Sequence, residues 1–214
     1  MLCGIFVGGR ATRMGGITKG LLPAPETGEP LVLRLSRIAR ELGLEPVLVG
    51  ASHEVRAALP ELRTIDDRPA GIGPLGGLAG LLHAGDSIVG SRAEAPPAST
   101  VGSPAQAPPA STSVLALACD LPRVSRALIA QLIEAPLCAP NTVLAIRADN
   151  GLWEPLCARY DAAALRVPVE QAIARGVRSF QKLFAELQVG ELAISSELRA
   201  GLVDWDTPED VTRS

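Results

Sequence analysis

One stretch near the start of the chain has the residue types of an anion cradle. Gly8-Gly9-Arg10-Ala11-Thr12-Arg13-Met14-Gly15-Gly16-Ile17-Thr18-Lys19-Gly20 is rich in glycine and cationic, and no acid precedes Glu26. Glycines directly after a strand let the backbone approach a ligand and turn its N–H groups toward an anion. Arg10, Arg13 and Lys19 add positive charge, so in chemical terms the loop suits a triphosphate. It is not a P-loop, because no Gly-Lys-Ser/Thr follows the glycines, and it lacks the G-x-G-x-x-G spacing of dinucleotide sites. The bland alternative is a tight turn whose basic residues are merely solvated. Of the 20 Lys and Arg residues only Lys19 and Lys182 are lysines. A compact ammonium in this loop suits a point contact with phosphate.

A second signal is Val114-Leu115-Ala116-Leu117-Ala118-Cys119-Asp120-Leu121-Pro122. An apolar strand ending in a carboxylate sets Asp120 at the carboxyl edge of a sheet, where open α/β sheets bind ligands. One hard oxygen beside phosphate oxygens is a common way to hold Mg²⁺. The structural alternative is that Asp120 caps a helix beginning near Pro122. Ile65-Asp66-Asp67 ends a short strand and leads through Gly71-Ile72-Gly73-Pro74-Leu75-Gly76-Gly77 into another helix, whose N-terminus suits a base or phosphate. Asp204-Trp205-Asp206-Thr207-Pro208 sets acids at a turn, with Asp206 or Thr207 as a plain N-cap. Cys3, Cys119, Cys138 and Cys157 form no C-x-x-C pair, which argues against zinc and disulfides alike. Cys3 and Cys119 read as buried small hydrophobes. His53 and His83 stand without a nucleophile or acid motif.

These residues need elements to position them, and the hydrophobic pattern supplies a set. Apolar runs of strand length occupy Leu2–Val7, Pro46–Val49, Val114–Ala118 and Thr142–Ile146. Between them, Leu31, Leu35, Ile38, Ala39 and Leu42 mark a helix face ended by Gly43, and Val55 with Leu59 and Leu78–Leu82 mark two more. Leu128, Ile129, Leu132 and Ile133 mark a fourth, with Ser125 as its N-cap. Strand and helix in alternation, with strands apolar throughout, predict a single α/β domain with a mainly parallel sheet covered on both faces. Residues 86–113 break this rhythm. Ala95-Pro96-Pro97-Ala98-Ser99-Thr100 returns as Ala107-Pro108-Pro109-Ala110-Ser111-Thr112, a composition that reads as a surface insertion.

At 214 residues with 47% hydrophobic residues, the chain can bury one sizeable core. Its net charge of -3 argues against bulk electrostatic binding of nucleic acid or an anionic membrane. No apolar run approaches the roughly 20 residues of a membrane span. The N-terminus has neither a basic n-region nor a cleavage site, so a cytoplasmic protein is expected.

Taken in order, G-G-x-x-x-R-M-G with its following Lys, then G-P-L-x-G, C-D-x-P and D-T-P-E-D resemble the MobA-like nucleotidyltransferases over nearly the whole chain. The resemblance implies a three-layer α/β/α Rossmann-like domain and, for the guanylyl-transferring branch, GMP transfer from GTP to molybdenum-bound molybdopterin with release of pyrophosphate. It implies nucleotide contacts from the backbone of Phe6, Val7, Gly8 and Gly9, and triphosphate contacts from Arg13 and Lys19. Ser52 stands at a nucleotide-contacting position, Asp67 meets base or ribose, and Asp120 is the Mg²⁺ ligand. Arg13, Lys19 and Asp120 are then the catalytic set, and transient contacts with molybdoenzyme maturation proteins are a further implication. Several positions depart from the family pattern. Thr18 stands where an Asp often precedes the Lys, Ser52 replaces an amide, Asp206 replaces an Asn, and the Pro/Ala/Ser insertion is not a family feature. Gly151–Leu156 match only loosely the segment expected near the acceptor. Relatives of the cytidylyl-transferring kind tend to have Ala before a single Gly where this chain has Gly8-Gly9, so the missing Cβ is expected to leave room for a purine.

The rival readings are a relative using CTP or a sugar phosphate, and a nucleotide-binding partner that no longer turns over. Lys19 and Asp120 together favour an active enzyme.

Overall fold

The computed structural model describes residues 1–8, 19–25, 27–93 (backbone only for 88–93) and 113–205. Its centre is one seven-stranded sheet of order β3-β2-β1-β4-β6-β5-β7, built from β1 (Leu2–Phe6), β2 (Glu45–Val49), β3 (Thr64–Ile65), β4 (Ser113–Ala118), β5 (Val143–Arg147), β6 (Trp153–Asp161) and β7 (Val189–Glu191). All neighbouring strands run parallel except where β6 lies antiparallel between β4 and β5. Every side chain of β1 is buried, as expected of a strand covered on both faces.

Two apolar layers do the covering. On one face lie α1 (Leu31–Glu41), α2 (His53–Ala58) and α4 (Arg126–Glu134), whose Leu35, Val55 and Leu128 meet Ile5, Leu48 and Leu117. On the other lie α3 (Pro74–Ala93), α5 (Ala162–Ala174) and α6 (Phe180–Ala185), whose Leu78, Leu165 and Phe184 meet Phe6, Val114 and Tyr160. The short α7 (Ser196–Ala200) closes the described chain. This is the expected α/β/α domain. Gly43 takes φ +72° just past α1, and the Ser125 hydroxyl accepts from Leu128 N–H at the start of α4.

One expectation needs correction. Helix α3 continues to Ala93 and β4 begins at Ser113, so residues 86–93 are helix rather than insertion. Asp86 accepts from Arg166 on α5 at 2.9 Å, and Gly85 lets α3 close onto Val114 and Ala162, which gives this end of the helix something to pack on. The repeat itself, within 94–112, lies outside the described residues. The sequence pattern does not mark β6, β7, α5, α6 or α7 as elements.

The register sets the site. Phe6, Val49 and Ala118 lie side by side, and Ile65 pairs with Val49, so β1, β2, β3 and β4 end at one edge. Ala116 and Ala145 both pair with Ala158 across β6, so β5 ends there too. Helix α3 fits under this edge through glycine. A Cβ on Gly76 would lie 2.6 Å from the Pro69 carbonyl oxygen, one on Gly77 2.7 Å from Val49, and one on Gly80 2.3 Å from the Asp66 carbonyl oxygen. Gly80→Ala gains up to ~1 kcal/mol of helix propensity but forces two backbones apart, an overpacking cost of about 1–3 kcal/mol. A lower melting temperature is expected; an unchanged or higher one would mean that α3 does not rest on this loop.

Candidate active site

One contact at the edge joins the first loop to the end of β4. Lys19 opens a 3-10 turn at Lys19–Leu21, and its Nζ donates to Asp120 Oδ2 at 3.1 Å. Gly20 makes this approach possible, since its missing side chain would face Val7 at 3.3 Å and Cys119 Sγ at 3.7 Å. Asp120 does not cap a helix; α4 starts at Arg126 with Ser125 as its cap, and the side chain of Asp120 is only about a quarter exposed. The loop behind it is pinned from two sides. Buried Arg34 on α1 donates to the Val124 carbonyl at 3.0 Å. The Trp205 backbone N–H donates to the Asp120 carbonyl at 3.0 Å, with its indole buried against Ala24 and Leu31.

Two further carboxylates, Glu154 on β6 and Asp204 beside Trp205, stand near Asp120. Glu154 on β6 has its carboxyl raised above the ordinary value by burial first, then by the charges of Asp204 and Asp120. The position of Glu154 depends on a bulge: Ala145 pairs with Ala158, but Ile146 pairs with Glu154. No periodicity signals such an irregularity. Asp204 directly precedes buried Trp205. Among the described residues no three His, Cys, Asp or Glu side chains converge as a metal cage. Asp120 nevertheless fits Mg²⁺: it is a partly exposed hard oxygen donor near the carboxylates of Glu154 and Asp204, with phosphate oxygens of a substrate left to complete the coordination. Cysteine chemistry has no place here, because burial pushes the Cys119 thiol up to about 12.

The other expected residues divide. The Phe6 carbonyl accepts from Cys119 N–H and the Val7 N–H donates to Val49, so these groups serve the sheet. Gly8 lies exposed beyond them. Its missing Cβ has a different reason from the one expected, since it would lie 2.7 Å from the Gly50 carbonyl oxygen. The space that Gly8 leaves is turned toward the Gly50 backbone. Ser52 stands at the end of β2, but its hydroxyl accepts from Val55 N–H as the α2 cap. Asp67 lies on a shelf of glycines, its Oδ1 3.3 Å from the Cβ position of both Gly50 and Gly77. It borders a cleft of about 450 Å³ reaching Glu170 and Ile173 on α5. Burial and neighbouring Asp66 raise its carboxyl, and Arg56, paired with Asp66 at 2.6 Å, partly offsets them. Gly9, Arg10, Arg13 and Asp206 lie outside the described residues.

Glycine shelf, cation and acid at the carboxyl edge of parallel strands define an α/β enzyme that handles nucleotide phosphates. The model of the MobA-like NTP transferase domain matches residues 3–189, and the chain belongs to that family of nucleotidyltransferases. A molybdenum cofactor guanylyltransferase of Pseudomonas putida is 31% identical over 208 residues, covering 96% of this chain and 92% of that one. One of Xanthomonas euvesicatoria is 29% identical, covering 98% and 91%. Among solved structures, molybdopterin-guanine dinucleotide biosynthesis protein A of Archaeoglobus fulgidus superposes with a TM-score of 0.70 at 21% identity, covering 100% of this chain and 96% of that one. The 2-C-methyl-D-erythritol 4-phosphate cytidylyltransferase of Thermus thermophilus gives 0.57 at 15% identity, covering 98% and 95%, and shares the fold. No helix among the described residues is long and apolar enough to cross a membrane.

The raised Glu154 carboxyl has a consequence for stability. A folded-state pKa above the unfolded one costs stability once the group is charged, and the cost disappears as pH falls below the unfolded value, roughly 4.3. Glu154→Gln should therefore raise the melting temperature at pH 7, measured without nucleotide or metal, and the gain should vanish near pH 4. A variant less stable than the parent at pH 7 would contradict this placement.

Proposed function

We propose that the protein transfers GMP from GTP to the terminal phosphate of molybdenum-bound molybdopterin. An acceptor phosphate oxygen attacks the α-phosphorus, the bond from that phosphorus to the bridging oxygen breaks, and pyrophosphate leaves. The acceptor phosphate is ionised at neutral pH, so no general base is needed, and positioning with charge neutralisation carries the catalysis. The observation that carries the reading is the Lys19–Asp120 pair at the end of β4 beside the Gly8–Gly50 backbone contact.

In this reading Asp120 holds Mg²⁺, which supplies charge neutralisation at the α- and leaving phosphates. Lys19, with Arg13 as its family role implies, stabilises charge growing on pyrophosphate. The backbone at Gly8 lies along the nucleotide, and the family resemblance gives Gly9 the same role. Ser52 contributes from the α2 start, its hydroxyl held in the cap. Asp67 accepts from guanine N–H groups or a ribose hydroxyl, and its raised carboxyl gains from such a donor. The names of the relatives support guanine and molybdopterin as the two substrates. The protein then works in the cytoplasm, in transient contact with molybdoenzyme maturation proteins, and uses neither nucleic acid nor membrane.

Pyrophosphate release with molybdenum-bound molybdopterin and each of GTP, CTP, ATP and UTP tests this. GTP should lead CTP and ATP by at least about tenfold in kcat/KM, which needs only ~1.4 kcal/mol of discrimination. Equal use of CTP would remove the guanylyl assignment, and no release with any nucleotide would remove the transferase reading.

A further inference from the structure

The far end of the same edge carries a structure that neither the nucleotide nor Asp120 accounts for. Arg147 closes β5, Trp153 opens β6, and the two are cross-strand partners. The Arg147 guanidinium carbon lies 3.9 Å from the centroid of the Trp153 ring. It is held there by donating from Nη1 to the Gly151 carbonyl at 2.8 Å and from Nε to Glu191 at 3.4 Å, while Arg199 donates to its main-chain carbonyl.

The indole beneath is fixed as firmly. The Gln181 side chain accepts from the Trp153 main-chain N–H at 3.2 Å and donates to the Trp153 carbonyl at 2.9 Å, which fixes the backbone that carries the ring. Phe184 meets the ring at 6.1 Å between centroids. The neighbouring bulge is anchored by buried Tyr160, whose hydroxyl donates to the Pro155 carbonyl at 2.6 Å. Despite these restraints, 42% of the Arg147 side chain remains exposed. A planar cation stacked on an aromatic ring through one face can receive a second flat ring on the other.

We propose that Arg147, supported by Trp153, is the stacking platform for the heteroaromatic ring of the acceptor. This rests on the transferase reading above and names the part of the site that selects the second substrate. Strands β4 and β5 are separated by β6, so their edges stand two strand spacings apart, roughly 10 Å. An acceptor with its phosphomonoester at Asp120 and a fused ring a few bonds away spans that interval. The guanidinium also matches the acceptor's negative charge, whereas the nucleotide is held on the opposite side of β4, at β1, β2 and β3.

The test uses the full chain and 6-hydroxymethylpterin monophosphate as probe, with 6-hydroxymethylpterin and inorganic phosphate as separate arms. Binding is followed by calorimetry beside GTP binding and thermal melting for each variant. In Arg147→Ala the Kd of the pterin phosphate should rise about tenfold, while the Kd of GTP stays within twofold. Arg147→Lys keeps the charge but not the planar face, and most of the loss should persist. Full affinity in Arg147→Lys, equal losses for probe and GTP, or no binding of the probe by the parent protein would each overturn the platform. Parent protein that binds the probe through Arg147 yet transfers no GMP to molybdopterin would overturn the transferase reading and leave the platform standing.

Discussion

An ion pair between residues 101 positions apart, Lys19 with Asp120, is the contact on which the rest of the site depends. It ties the first βα loop to the end of β4, and so sets a cation against an acid at the carboxyl edge of the sheet. The pair is about a quarter exposed on each side, so its own contribution to stability is small. Its importance is geometric. A single acid can serve a metal and a transferring phosphate only if the loop carrying the cations returns to it in a fixed position.

The surrounding packing enforces that return. Gly20 lets the chain pass between Val7 and Cys119, and the ladder from Phe6 to Cys119 holds the two strand ends level. Arg34 from below and Trp205 from the C-terminal side clamp the loop after Asp120. Further along, Gly76, Gly77 and Gly80 let α3 seat under β2 and β3, which presents Asp67 at the same edge. The register then divides this edge in two. A glycine-lined half at β1, β2 and β3 suits a nucleotide, a half at β6 and β5 carries Arg147 and Trp153, and Asp120 stands between them.

How much of this the sequence discloses depends on whether a residue's place follows from local pattern. Strands β1, β2, β4 and β5 are legible because both their faces are buried and their residues are apolar throughout. Lys19 and Asp120 are legible because each stands directly after such a strand or its turn. Strand β6 is not: Glu154, Pro155, Arg159 and Asp161 interrupt it, and buried Arg159 is accommodated only by donating to the Ile133 and Ala135 carbonyls. Glu154 depends on a bulge, Asp204 on a buried tryptophan, and Arg147 on a ring across the strand, all tertiary facts. Gly8 teaches a different lesson. Its type signals a requirement for space, and that space borders the Gly50 backbone, a tertiary neighbour that no local pattern reveals. The boundary of the insertion was misplaced for a similar reason, because Ala, Ser and Gly suit both a loop and the end of a helix that has Arg166 to hold it.

The central claim is that Lys19 and Asp120 act on one transferring phosphoryl group. A double-mutant cycle on kcat with Lys19→Ala, Asp120→Asn and the double variant tests it directly, with circular dichroism confirming the fold of each. Each single change should remove most turnover, and the double variant should be better than the product of the two losses by at least about tenfold, a coupling of ~1.4 kcal/mol within the range for groups in contact. Additive losses within roughly 0.5 kcal/mol, or near-normal turnover in folded Asp120→Asn protein, would contradict the account.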